Sequence, residues 1–147
     1  MKKLLLLIFS IILLSSCYEK EREVDISKKQ ERNGIVYIIN ESKPYSGKIL
    51  RKYDNGQILL LMSYKNGKLD GKYLHFYRNG QIYIDSEYKD GKLNGLYKKH
   101  HHNGQVLLEA NYIAGELNGI YLEHSKEGEK TKEIKYDKGN ILEIIQE

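Results

Sequence analysis

Glycine recurs along this chain at one fixed interval, and that interval restricts the possible fold more than any other feature. Gly47, Gly71, Gly95 and Gly119 are spaced by 24 residues. So are Gly56, Gly80, Gly104 and Gly128, and so are Gly67, Gly91, Gly115 and Gly139. Of the 13 glycines only Gly34 stands outside these columns. Tyr64, Tyr88, Tyr112 and Tyr136 keep the same spacing, as do Leu69, Leu93, Leu117 and Ile141. Self-similarity at a fixed period marks an array in which each unit buries its apolar side against its neighbours.

Each unit carries two turn signals. Asn55-Gly56, Asn79-Gly80 and Asn103-Gly104 form one set, Asn66-Gly67 and Asp90-Gly91 the other. Asn-Gly and Asp-Gly favour two-residue type I′ turns, in which both central residues take positive φ. The expected fold is therefore all-β: an antiparallel meander of tandem 24-residue β-hairpins in one elongated, curved sheet. About eight or nine strands should advance ~9.6 Å per repeat, at ~4.8 Å per strand. Ile35 to Asn40 reads as the second strand of an incomplete leading unit, followed by a turn around Lys43-Pro44. The fourth unit reads as a cap, with Ser125, Glu127-Gly128, Lys130 and Lys132 breaking the pattern and Ile141 to Ile145 as a closing strand.

Turn positions set register, and residues paired across strands share a face. With two-residue turns, Tyr77 is expected opposite Ile82, His75 opposite Ile84, Tyr88 opposite Leu93 and Ile84 opposite Tyr97. This places the tyrosine columns, Met62, Ile58, Ile82 and Val106 on one core face. Gly71, Gly95 and Gly119 fall opposite Met62, Ser86 and Ala110, where neighbouring tyrosines would lie over the gaps. On the other face Leu50 is expected opposite Leu61, Leu59 opposite both Leu74 and Lys52, and Phe76 opposite Tyr83. Contiguous exposed apolar surface often marks an interaction site, so Leu50, Leu59, Leu61, Leu74, Phe76 and Tyr83 form a candidate partner-binding patch. The plainer alternative is that curvature, the leading unit or the N-terminal segment covers it.

The N-terminus has the layout of a secretory signal: Lys2 and Lys3, an apolar run from Leu4 to Leu14, then Ser15-Ser16 before Cys17. A membrane-spanning helix needs about 20 apolar residues, so this run is too short to be a permanent anchor. Leu14-Ser15-Ser16-Cys17 resembles the bacterial lipobox, which implies a signal peptide over 1–16 and lipidation of Cys17. The alternative is an ordinary signal with a chance cysteine. Cys17 is the only cysteine, so it can form no intramolecular disulfide. Residues 17–32 are almost all polar and read as a charged tether, flexible or partly helical; a docked helix would have only Val24 and Ile26 to bury. The repeat domain is then 33–147, held at a bacterial cell envelope by the lipid.

Charge and motif content narrow the function classes. The formal charge of +4 falls to +2 once Lys2 and Lys3 leave with the signal, and lysines and acids are interspersed. Nucleic-acid binding would call for a basic face or arm. No nucleophile elbow, phosphate loop or zinc-helix motif occurs, so the expectation is a non-enzymatic protein needing no cofactor. His100-His101-His102, with His75 and His124, is the one tempting metal cluster, and a zinc or copper site requires three or four converging ligands. Strand alternation sends His101 to the core face and His100 and His102 to the other, so no metal site is expected. Asp85 and Glu87 read as a solvated face, and Lys98 and Glu109 as a cross-strand pair.

The string G-x-Y-x-x-x-Y-x-x-N-G-Q-I followed by Y-x-x-G-x-L-x-G, clearest from Gly71 to Gly95, resembles the bacterial variant of the MORN repeat, from about Asn33 to the C-terminus. Tyrosine carries the aromatic column, since tryptophan is absent. The resemblance implies β-hairpin arrays used for protein association and, in some eukaryotic members, for proximity to membrane lipids. Proteins of this YwqK type are often labelled the antitoxin component of toxin-antitoxin systems. The leading expectation is a lipid-tethered module that binds or scaffolds another protein. The alternative is an antitoxin or immunity protein that binds a toxin outside the cytoplasm. A hydrolase or metal enzyme would need a convergent polar pocket.

Overall fold

The computed structural model of the chain describes residues 21–146; the signal segment, Cys17 and the first residues of the expected tether lie outside them. The described residues run through β1 (Glu23–Asp25), a 3-10 turn (Ile26–Lys28), β2 (Lys29–Arg32), β3 (Ile35–Ile38), β4 (Gly47–Lys52), β5 (Ile58–Lys65), β6 (Lys68–Phe76), β7 (Ile82–Lys89), β8 (Lys92–His100), β9 (Val106–Ile113), β10 (Glu116–His124), β11 (Lys130–Asp137) and β12 (Asn140–Gln146). Strands β4 to β12 form the expected meander in chain order, and β1 joins beside β4 to complete a ten-stranded sheet.

Only one of the two turn sets is type I′. Asn66 and Asp90 take φ of 49° and their glycines 76° and 84°; Ala114-Gly115 and Lys138-Gly139 do the same. At the other set the glycine alone is left-handed. The Gly80 N–H donates to the Tyr77 carbonyl at 2.9 Å, and the Tyr77 N–H to the Gln81 carbonyl at 2.8 Å. This is a three-residue loop, a type I turn closed by a left-handed glycine. Its asparagine serves through its side chain: Asn79 Oδ1 accepts the Gln81 N–H at 3.1 Å, as Asn55 and Asn103 do for Gln57 and Gln105. The extra loop residue moves the pairing. His75 faces Ile84 as expected, but Phe76, not Tyr77, faces Ile82, and Tyr83 is skipped.

A second register change lies at the remaining glycine column. Tyr88 faces Leu93, yet the next pair is Ser86 with Tyr97, so Asn94, Gly95 and Leu96 bulge opposite Glu87 alone. Gly71, Gly95 and Gly119 there adopt φ of 105°, 119° and 104°, which side chains rarely tolerate. The expected pairing of these glycines with Met62, Ser86 and Ala110 is thus replaced by pairing of Tyr73, Tyr97 and Tyr121 with those residues. The bulge adds two residues, an even number, so the tyrosines stay on the inner face.

One row therefore crosses the sheet on that face: Ile49, Met62, Tyr73, Ser86, Tyr97, Ala110, Tyr121, Ile134 and Ile144. Ser86 and Ala110 are 0% exposed, small residues enclosed between flanking tyrosines. The rings pair at the tilted or edge-on geometry aromatic rings favour: Tyr73 with Tyr88 at 5.8 Å, Tyr97 with Tyr112 at 6.1 Å and Tyr121 with Tyr136 at 6.2 Å. Hydroxyls tie successive units. Tyr53 donates to the Phe76 carbonyl at 2.8 Å and Tyr77 to the His100 carbonyl at 2.7 Å, and His101 Nε2 lies 3.0 Å from the His124 carbonyl.

The tether expected over 17–32 does not extend to Arg32. Glu23 to Arg32 is built into the domain, because Val24 pairs with Ile49 in a parallel edge and Val24 and Ile26 pack on the buried cluster. Strands β2 and β3 form a hairpin of their own, turning at Asn33-Gly34, both left-handed. Val36, Ile38, Tyr45, Ile49, Met62 and Tyr64 make the main core. Ile49 stands in the column that elsewhere carries tyrosine, and Tyr45 supplies the missing ring, 6.4 Å from Tyr64. The well-covered end of the array is thus the first, while the polar fourth unit is followed by β12 with nothing beyond it among the described residues.

Gly67 and Gly91 occupy one column but differ in surroundings. A Cβ at Gly67 would lie 2.4 Å from Ile35 Cγ2 and 2.9 Å from the Val36 carbonyl oxygen, whereas one at Gly91 meets nothing within 4 Å. Gly91→Ala should cost about 1–2 kcal/mol for the left-handed backbone alone. Gly67→Ala should add roughly 1–3 kcal/mol of overpacking against the hairpin. Urea unfolding of the two variants checks this: equal losses would mean the hairpin is not seated on the array.

Candidate interaction face

The outer face is the side opposite the tyrosine row, and its composition changes along the array. Leu50 pairs with Leu61 as expected, and Leu61 pairs in turn with Leu74. The same row continues as Asp85, Lys98, Glu109, Leu122 and Glu133. The row is therefore apolar on β4, β5 and β6, between Asp25 of β1 and Asp85 of β7, and beyond β6 it is charged except at Leu122. Leu50, Leu61 and Leu74 are half-buried, consistent with side chains that stand on a single-layer sheet and cover one another only at their flanks.

The six residues expected to form one patch divide. Leu61, not Leu59, faces Leu74, and Ile58 faces Lys52. Leu59 and Tyr83 hold equivalent positions 24 residues apart and are the residues the register skips after each three-residue loop. At that bulge Tyr83 turns to the inner face, its ring 4.8 Å from Tyr77 and 5.3 Å from His75, with Lys99 Nζ 5.2 Å from its centroid. Phe76 stays beside Ile82, so Ile82 belongs with it on the outer face rather than in the core. Ile58 and Val106 shift likewise, pairing with Lys52 and His100. The three-residue loop accounts for the changes at Ile58, Ile82, Tyr83 and Val106, while the two-residue bulge at Gly71 brings Leu61 rather than Leu59 opposite Leu74. A signal for it existed in the sequence, since Asn-Gly is followed by Gln at all three sites.

Beside and beyond Leu74 the outer face carries ion pairs. Lys72 Nζ lies 2.8 Å from Asp85 and 3.1 Å from Glu87, and the hydrogen bond to Asp85, then that to Glu87, raises the Lys72 pKa. Lys98 meets Glu109 at 2.8 Å, as the register predicts. Exposed pairs of this kind contribute little to stability, but they pair the charges beside the Leu50–Leu61–Leu74 row with one another.

The histidines do not act as a set. His101 is committed to the His124 carbonyl, and His102 stacks on Tyr77 at 3.8 Å. His100 and His124 recur in one column, paired with Val106 and Lys130 on adjacent strands. Among the described residues, no three His, Cys, Asp or Glu side chains are grouped to hold a metal ion. Tyr121 is held protonated well above the usual phenol range by burial and by its hydrogen bond to Glu123, so it offers no ready base.

No curated protein matches the chain significantly. The MORN repeat variant model matches at residues 45–66, 69–90 and 93–114, which are the stretches of β4–β5, β6–β7 and β8–β9 with their connecting loops. The fourth hairpin, β10–β11, keeps the geometry while its loop residues depart from the pattern at Ser125 and Glu127. The chain thus carries three tandem repeats of the MORN repeat variant, and they coincide with hairpins that recur every 24 residues.

Proposed function

We propose that this protein is a non-catalytic binding module of a bacterial cell envelope, anchored through lipidated Cys17, that holds a protein partner on the outer face of its first hairpins. MORN repeats commonly serve as protein- or membrane-binding modules, and this fits a scaffold role. The observation that carries the reading is the row Leu50–Leu61–Leu74: contiguous in register, half-exposed and bordered by paired charges. An apolar centre with a polar rim is the usual anatomy of a protein-binding surface. The array itself supplies a rigid platform, since each hairpin is bonded to the next at its turns.

Two measurements test this. With Cys17→Ser the chain should move from the membrane to the soluble fraction on cell fractionation; unchanged membrane retention contradicts the anchor. A Leu61→Ser/Leu74→Ser double variant should lose a partner that the native chain retains from envelope extracts, with its β-type circular dichroism intact. Leu59→Ser, at the bulge, should keep that partner. Equal loss from the Leu59 variant would mean the outer row is not the contact. If the retained partner is a toxin whose effect the chain relieves on co-expression, the binding role takes the form of immunity.

A further inference from the structure

The two edges of the sheet are finished in different ways. The first edge, β1, is three residues long, with acidic Glu23 and Asp25 flanking Val24, and it covers the buried row where that row begins at Ile49. The other edge, β12, is seven residues long, and Ile141, Leu142, Ile144 and Ile145 on it are 54%, 60%, 51% and 48% exposed. Ile144 ends the buried row: its neighbour Ile134 is 4% exposed, while Ile144 has no strand on its far side among the described residues. Leu142 and Ile145 are skipped by the register with β11. A long apolar edge with free backbone groups is a template for another strand.

The sequence of β12 says which strand. Around Glu143 the residues are symmetric in character: Leu142 and Ile144 at one step, Ile141 and Ile145 at two, Asn140 and Gln146 at three. Antiparallel pairing of two such strands about a two-fold axis through Glu143 sets Leu142 against Ile144, Ile141 against Ile145 and Asn140 against Gln146. Apolar then meets apolar throughout, and polar meets polar. The two Glu143 side chains meet at the axis, and each has Lys135 of its own β11 as its in-register neighbour, so the row across the junction carries balanced charge. Head-to-tail pairing with β1 would instead bring Glu143 to a three-residue edge bearing Glu23 and Asp25 and bury little. A two-fold contact uses the same surface twice and closes on itself.

We infer that β12 is a self-association edge: two copies of this chain join antiparallel through Asn140–Gln146, and Ile144, at the end of the buried row, is covered by Leu142 of the second copy. The inference does not rest on the outer leucine row or on the identity of any partner held there.

Residues opposed in an antiparallel pair have Cα atoms about 4.5–5.5 Å apart, within the span a disulfide bridges. Glu143→Cys in the full chain, expressed in cells and oxidised, should therefore give a covalent dimer as the main species on a non-reducing gel. Neither the native chain, with Cys17, nor Glu116→Cys, at the start of β10, should do so. Co-expressed Ile141→Cys and Ile145→Cys chains should cross-link to each other, which fixes the register. A thiol at 143 that reacts with a soluble maleimide but forms no dimer overturns the inference. So does an adduct of Glu143→Cys with a different protein and no homodimer, since β12 would then serve another strand. Glu143→Gln, which removes the like charges at the axis, should tighten association at least several-fold by analytical ultracentrifugation, and weakening would exclude a two-fold at this residue.

Discussion

The bulge opposite Ser63, Glu87 and Asn111 is the constraint on which the rest of the sheet depends. A strand that simply alternated would set glycine, not tyrosine, against Met62, Ser86 and Ala110. Left-handed backbone at Gly71, Gly95 and Gly119 takes up two residues and moves Tyr73, Tyr97 and Tyr121 into those places. The space is tight: a Cβ at Gly71 would lie 3.2 Å from Ser63 Cβ and one at Gly95 would lie 2.9 Å from Glu87 Oε2. The bulge also turns backbone groups toward the neighbouring unit. The Gly91, Gly115 and Gly139 N–H groups donate to the Leu69, Leu93 and Leu117 carbonyls at 2.8, 2.7 and 2.9 Å. Side chains from the bulge reinforce this, Asn94 Oδ1 accepting the Ala114 N–H at 3.0 Å and Asp70 accepting that of Asp90 at 3.3 Å. Left-handed Ala114 is held by such a bond, not by any preference of its own.

Coupling of this kind makes a single-layer sheet a workable domain. One layer cannot bury both faces, and here the inner face is filled by tyrosines arched over small residues while the outer face is divided between leucines and ion pairs. Stability then accumulates from neighbour to neighbour, and the ends matter most. The first end is closed by β1, the β2–β3 hairpin and Tyr45, whose hydroxyl lies within hydrogen-bond distance of the Arg22 and Lys48 carbonyls. The last end carries exposed isoleucines.

Much of this was legible in the sequence, and the failures have local causes. The 24-residue period fixed the hairpins, their number and the inward tyrosines, because glycine and asparagine mark turns whatever surrounds them. Asn-Gly alone does not separate a two-residue turn from a three-residue loop, since both end on a left-handed glycine. The Leu59 and Tyr83 assignments went astray at that loop and Phe76 kept its face but met Ile82 instead of Tyr83, whereas Leu50, Leu61 and Leu74, far from the loops, kept their face. The segment from Glu23 to Arg32 looked like tether because its composition is polar. Its order comes from a few specific contacts: Val24 beside Ile49, Ile26 on the core, and Arg22 paired with Glu41. No pattern of hydrophobicity announces contacts of that kind.

Amide hydrogen exchange at Gly91, Gly115 and Gly139 tests the central claim most directly. These residues sit in exposed turns, where an amide without a partner exchanges within the fastest class. If the Leu69, Leu93 and Leu117 carbonyls, next to the bulges of the preceding unit, bind them, they should exchange as slowly as mid-strand amides, and slow together as a cooperative unit. Exchange as fast as that of an unstructured exposed amide would mean that the hairpins are joined by ordinary ladder bonds alone and that the glycine bulge does not couple the repeats.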